Sequence, residues 1–370
     1  MRTCYFLCCC VLSTFLTAQE TLVVNLPYDG EDRSYRLYVP AAFDGETPLP
    51  LVFNLHGFTS NASQQEFYAD MNAVADTAGF FVCYANGIDA AWNVNWDFGS
   101  TADDVGFISF LIDEISSEYP VLLDQVYSCG MSNGGFMSYR LACELNDRIA
   151  AVASVTGSMS PGYIGNCTPN RPVPVLEIHG TADPVVSYDG TANVSISVDS
   201  LLTFWANNNG CDGSTITTDL ENTSLLDLCT AEKIDYQNCA ASVEHYKING
   251  GGHTWPGAPI SIGVTNQDFH GSAAVWQFFQ QHRLPELTNT ITLTGEHAWR
   301  VYPNPGQSWL AVQHLDGPYV LELYQATGQL LQRHNSNDNQ RIDLGNLPTG
   351  LYFLRIKQGA LTVIRPWVKQ

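Results

Sequence analysis

The chain has 370 residues, with 16 Lys+Arg against 37 Asp+Glu, a formal net charge of -21 and a hydrophobic share of 45%. Length and hydrophobicity together allow one large core and a small second one, and exclude a disordered or collagen-like chain. Residues 1–285 carry nine basic and 31 acidic groups, whereas 286–370 carry seven and six; a field of that sign repels phosphate backbones and polyanions, which disfavours nucleic acid as a partner and leaves neutral substrates open.

The chain opens as an export signal. Arg2 supplies a positive start, Tyr5–Leu16 form an apolar run too short for a stable bilayer anchor, and Thr17-Ala18 offers a small residue before Gln19, so residues 1–18 read as a signal peptide. No later run reaches the length of a membrane helix, and no integral membrane span is expected. Export permits disulfides. Of the 11 cysteines, Cys4, Cys8, Cys9 and Cys10 leave with the signal, while Cys83, Cys129, Cys143, Cys167, Cys211, Cys229 and Cys239 stay. That remainder is odd, so at least one is free or pairs outside the chain. Cys83 and Cys129 lie in apolar strand patterns and are expected as small buried residues. No Cys or His spacing suits zinc, and no metal or cofactor is expected.

Next come two extended segments, Thr21–Asn25 and Ser34–Val39, joined by the turn chemistry of Tyr28-Asp29-Gly30-Glu31 into a hairpin. Leu51–Leu55, ending at His56-Gly57, and Phe80–Tyr84 are short apolar strands. Asp103–Tyr119 has helix spacing, with Val105, Ile108, Leu111, Ile112 and Ile115 on one face, and Pro120 stops it. Gln125–Cys129 is a strand running into Gly130-Met131-Ser132-Asn133-Gly134, followed by a helix to Leu145. Ile149–Val155, Val173–Ile178 and Val243–Ile248 are further strands, with helices near Val198–Asn207 and Ala273–His282. This alternation predicts a mostly parallel central sheet covered by helices on both faces. After a linker at 286–298, the pattern changes to short strands, Trp309–Gln313, Tyr319–Tyr324, Arg341–Leu344 and Leu351–Ile356, punctuated by Gly and Pro turns. Residues 299–370 are therefore expected to form a small all-β sandwich beside an α/β domain at 19–285.

Gly130-Met131-Ser132-Asn133-Gly134 fits the G-x-S-x-G nucleophile elbow, in which a strand turns sharply into a helix and presents one side chain at the apex. Glycines two residues either side avoid Cβ clashes, and the free N–H groups of the helix start face the developing oxyanion. That elbow belongs to the α/β-hydrolase fold, whose triad runs Ser, acid, His along the chain. Asp183 follows the strand Val173–Ile178, with Asp189 as the alternative acid. His253 lies in the loop Asn249–Gly257 after Val243–Ile248; His245 and His270 are alternatives. For the oxyanion hole, the backbone N–H groups of Asn133 and Phe58 are the candidates, with Gly57 the competing neighbour of Phe58. His56 is expected to shape that loop rather than titrate in the chemistry. Trp92, Trp96 and Trp255 lie in loop-like segments near these residues and are candidate substrate contacts, since aromatic platforms suit sugar rings or feruloyl groups.

Five ordered stretches carry a family resemblance: Asn54–Gly57, Asp103–Ile108, Gly130–Gly135, His179–Asp183 and Gly250–Gly257. On them the chain resembles the secreted polyhydroxybutyrate depolymerase and feruloyl/acetylxylan esterase group, carbohydrate esterase family one. The resemblance implies an α/β-hydrolase fold, the triad Ser132, Asp183 and His253, and disulfides Cys143–Cys167 and Cys211–Cys239, with Cys229 a competitor for Cys211. Val301–Pro305 and Leu347–Phe353 resemble the sorting domain of the type IX secretion system, which implies the secretion machinery as a partner and a location outside the cell or on its surface. A carbohydrate-binding sandwich is the competing reading of that segment. The expected reaction is hydrolysis of small or polymer-linked carboxylic esters through an acyl-enzyme. A serine peptidase of the same fold and a non-catalytic surface polymer-binding protein are the rival functions.

Overall fold

The computed structural model describes residues 20–285, 300–313, 318–325, 329–336, 341–358 and 361–369. The signal peptide expected at 1–18 and the linker expected at 286–298 lie outside them. Two compact units divide the chain, Met1–Glu286 and Leu287–Gln370.

In the first unit, β1 (Glu20–Tyr28) and β2 (Glu31–Val39) form the hairpin, turning at Asp29-Gly30. Then follow β3 (Leu49–Leu55), α1 (Ala62–Ala69), α2 (Met71–Ala78), β4 (Phe81–Ala85) and α3 (Asp104–Glu118). Next are β5 (Val121–Met131), α4 (Asn133–Glu144), β6 (Ala151–Val155), β7 (Val175–Gly180) and α5 (Val198–Asn208). The unit closes with β8 (Thr215–Asp219), β9 (Thr230–Tyr236), β10 (Val243–Asn249) and α6 (Gly271–Phe279).

All ten strands share one sheet in the order β1-β2-β4-β3-β5-β6-β7-β10-β9-β8. The six from β4 to β10 run parallel, and antiparallel hairpins edge them on both sides. This is the α/β-hydrolase sheet. β6 and β7 are buried along their whole length, as strands covered on both faces must be. Period-two alternation splits β3, with Leu51, Phe53 and Leu55 packing on one face with α3, α4 and α5, and Val52 on the other with α2 and α6. Sequence pattern did not reveal α1, α2, β8 or β9. β8 is exposed at every position, so no buried face shows in its pattern.

Both expected disulfides form, Cys143–Cys167 and Cys211–Cys239. Cys229 stays free and buried, as do Cys83 and Cys129. Among the described residues, no helix is long and apolar enough to cross a membrane.

The second unit comprises β11 (Arg300–Tyr302), β12 (Trp309–Gln313), β13 (Tyr319–Gln325), β14 (Leu330–Ser336), β15 (Ile342–Asp343), β16 (Gly350–Gln358) and β17 (Leu361–Lys369). They form a three-stranded sheet, β11-β12-β15, and a four-stranded one, β14-β13-β16-β17. Leu310 and Val312 from the first sheet share a single core with Leu321, Leu323, Leu354 and Ile356 from the second, so the two sheets pack as a sandwich.

Candidate active site

The carboxyl ends of the parallel strands converge, where open α/β sheets bind ligands. β5 delivers Ser132 at φ 54 and ψ −122, a conformation a non-glycine residue holds only under constraint. Two features supply it. The Ser132 N–H donates to the Val155 carbonyl, 2.9 Å away, on the neighbouring strand. A Cβ built on Gly134 would lie 2.1 Å from the Leu55 carbonyl oxygen, so α4 can start this close to β3 only because Gly134 has none. Ser132 is 8% exposed.

β3 delivers His56-Gly57-Phe58 alongside. A Cβ on Gly57 would stand 3.4 Å from that of Ser132. His56 is buried; its Nδ1 donates to the Gly57 carbonyl at 2.8 Å, and its Nε2 accepts the Gly87 N–H at 3.0 Å. Burial pushes its pKa down to about 4, so it stays neutral and shapes the loop, as expected. The Asn133 side chain accepts the Trp92 N–H at 2.6 Å and donates to the Trp92 carbonyl at 3.2 Å, which fixes the helix start against the loop after β4.

β7 delivers Asp183. Its Oδ1 accepts the N–H groups of Val185 (2.8 Å) and Val186 (2.9 Å), and its Oδ2 accepts His253 Nδ1–H at 2.7 Å. The proton on Nδ1 leaves the Nε2 lone pair of a neutral ring free to act as a base. The alternatives are placed elsewhere. Asp189 is exposed. His245 is buried between the Glu177 carbonyl and the Tyr188 hydroxyl. His270 caps α6.

Ser132 and His253 both open onto a cleft of about 470 Å³ walled by Phe58, Phe67, Tyr68, Met131, Ile260 and Ile262. Among the described residues, no carboxylate, lysine or arginine lines it. Sequence reasoning missed most of this wall. The available signal was Asn61, whose side chain caps α1 by accepting the Gln64 N–H and so marks the helix that brings Phe67 and Tyr68 to the cleft.

The tryptophan expectation needs correcting. Trp92 and Trp255 are 1% and 0% exposed, so neither presents a face to a ligand. Trp92 instead donates its indole N–H to the His56 carbonyl, at 3.0 Å. Trp96 is half-buried, stacked on Phe98 with centroids 4.9 Å apart, and Phe58 meets both rings edge-on. Of the three, only Trp96 belongs to an aromatic surface adjoining the cleft.

Residues 33–201 match the family described as esterase PHB depolymerase, and residues 300–370 match the secretion system C-terminal sorting domain. The protein of Nocardia uniformis subsp. tsuyamanensis named "Putative esterase NocK" is 31% identical over 283 residues, covering 68% of this chain and 78% of its own length. Feruloyl esterase C of Emericella nidulans is 29% identical over 255 residues, covering 67% and 83% respectively. Among solved structures, acetyl xylan esterase from Aspergillus awamori aligns over 67% of this chain and 94% of its own, at 16% identity and a TM-score of 0.49.

Proposed function

Because the chain belongs to the esterase PHB depolymerase family, we propose that it is a secreted serine esterase whose triad is Ser132, His253 and Asp183. The C-terminal sorting domain makes it a secreted or cell-surface protein. The observation that carries the proposal is the Asp183-bound His253 sharing one cleft with a serine at the apex of a strained elbow.

His253 Nε2 takes the Ser132 hydroxyl proton as Oγ attacks the ester carbonyl. Asp183 holds the ring's tautomer and stabilises the imidazolium. The oxyanion is received by the N–H groups of Asn133, at the start of α4, and Phe58, beside Gly57. The imidazolium proton goes to the departing alkoxide, and the same base then activates a water that releases the acyl group. A cleft without fixed charge favours a neutral, apolar acyl group, and Phe58, Trp96 and Phe98 extend an aromatic surface for whatever it is attached to. Feruloyl, acetyl-sugar and hydroxyalkanoate esters all meet that description.

The test is hydrolysis by the full chain of p-nitrophenyl butyrate, methyl ferulate, acetylated xylan, polyhydroxybutyrate and a peptide amide, each beside Ser132→Ala. Ester turnover that falls about 10⁴-fold or more in the variant is expected. Turnover confined to the amide would make the chain a peptidase. Polymer binding without Ser132-dependent turnover would make it a binding protein.

A further inference from the structure

Behind the triad lies a second acid–histidine pair that the proposed cycle does not use. Glu177 and His179 sit two residues apart on β7, on the same side of the strand, and both side chains are completely buried. His179 Nδ1 lies 2.8 Å from Glu177 Oε1, and Tyr139 on α4 donates its hydroxyl to Glu177 Oε2 at 2.8 Å. His179 Nε2 lies 2.8 Å from the Val186 carbonyl. A carbonyl only accepts, so Nε2 carries a proton, and the contact at Nδ1 holds a second proton between ring and carboxylate.

The Val186 peptide is thereby gripped from both sides. Its C=O is held by His179, while its N–H donates to Asp183 Oδ1, and Asp183 Oδ2 in turn holds His253. His179 Nε2 also stands 3.5 Å from Asp183 Oδ2 itself. The remaining polar groups against the pair are Ser154, which stands opposite Glu177 on β6, and Tyr188 and His245, which bond to each other at 3.0 Å, and His245 Nδ1 donates to the Glu177 carbonyl. Lys247 lies beyond His245. Among the described residues, no other group supplies the Val186 carbonyl with a side-chain donor.

We propose that Glu177 and His179 are positioning residues for the acid–base end of the triad, fixing Asp183 through the Val186 peptide and turning the protonated edge of His179 toward its carboxylate. The proposal rests on the triad reading above. Its electrostatic part has a definite sign. A positive edge beside Asp183 stabilises that carboxylate and weakens its pull on the His253 imidazolium, so losing it makes His253 more basic. Burial is the largest single influence on His179 and pushes its pKa down, but the bond to Glu177 and its charge, the Val186 carbonyl and the Asp183 charge together outweigh it, and the net direction is upward.

The experiment compares full-length wild type with Glu177→Gln, His179→Phe and Ser132→Ala on p-nitrophenyl butyrate across pH, with competent sites counted by a fluorophosphonate that labels Ser132. Glutamine can donate to His179 Nδ1 and accept from Tyr139, so Glu177→Gln keeps the bonds and removes the charge. It is expected to move the acid limb of kcat/KM to higher pH at nearly full site count. His179→Phe releases Val186 and is expected to lower kcat per labelled site about 10²-fold, with KM little changed. If both variants lose only labelled sites, keeping wild-type kcat per site and an unmoved acid limb, the pair serves packing alone and the proposal falls. Should His179→Phe fail to fold, an unmoved acid limb in Glu177→Gln is enough to overturn it. Retained turnover in Ser132→Ala would sink the triad reading, and this proposal with it; abolished turnover there beside unmoved variants sinks this proposal alone.

Discussion

The two units of the molecule treat buried ionisable groups differently. In the α/β unit, Arg33 pairs with Asp104, Glu177 with His179, and Asp183 with His253, all through side chain–side chain bonds. Each pair tethers a loop at the carboxyl ends of the strands: Asp104 also accepts the Asn93 N–H beside Trp92, and His179 and Asp183 hold Val186. In the sandwich, Lys369 turns its ammonium to the backbone carbonyls of Leu344, Gly345 and Leu347, and Glu322 gathers Arg355, Arg333 and Lys357 across neighbouring strands. There, charge links strands of one sheet through Glu322 and ties the segment after β15 to β17 through Lys369. A buried pair between side chains can fix one loop against another with directional bonds, and in the α/β unit the loops so held carry the candidate site.

The largest expected effect that would sharpen this contrast is at Asp104. Asp104→Ala strands the Arg33 guanidinium in the core and frees Asn93, so it should cost the α/β unit about 3–5 kcal/mol. Hydrogen exchange read by mass spectrometry should show deprotection from β2 to α4 and leave the sandwich unchanged; an intact α/β unit would deny the pair its role.

Acid should also separate the two units. Burial lowers the pKa of His56 to about 4, of His245 to about 3 and of His282 to about 4. Each folded value lies below the unfolded one near 6.5, so the unfolded chain binds protons first as pH falls. The stability these groups contribute is complete above about pH 6.5 and is lost on acidification toward pH 4, by about 3 kcal/mol for His56. Denaturant titrations at pH 7.5 and pH 5 should show a lower midpoint at the acid value for the α/β unit, and equal midpoints would contradict the buried neutral histidines.

Reducing the disulfides acts on the α/β unit alone. With sequence separations of 24 and 28, Cys143–Cys167 and Cys211–Cys239 should each be worth about 3 kcal/mol. Melting with and without dithiothreitol measures this, and an unshifted transition would mean the bonds add nothing to stability. The smallest expected effect is Lys369→Met, which leaves three carbonyls without their donor and should cost the sandwich about 1–3 kcal/mol while esterase turnover is unchanged. A loss of turnover in that variant would show the units are not separable in this way.

Much of this was legible in the sequence, because the chemistry hangs on local backbone demands. A strand that must turn abruptly into a helix requires glycines around Ser132, and strands covered on both faces require the apolar runs at Ile149–Val155 and Val173–Ile178. Those signals are short-range, and they marked the elbow at Ser132 and the parallel sheet. Tertiary structure alone decided the rest. Trp92 and Trp255 looked like loop aromatics and proved to be core, because burial depends on what packs against a residue and not on its neighbours in the chain. The cleft wall joins Phe67 on α1 to Ile260 and Ile262 almost 200 residues later, and β8 and β9 fill out the sheet without an apolar pattern to announce them. The grip on Val186 couples β7 to the loop that leaves it, and a sequence records neither a side chain's reach nor the direction of a carbonyl.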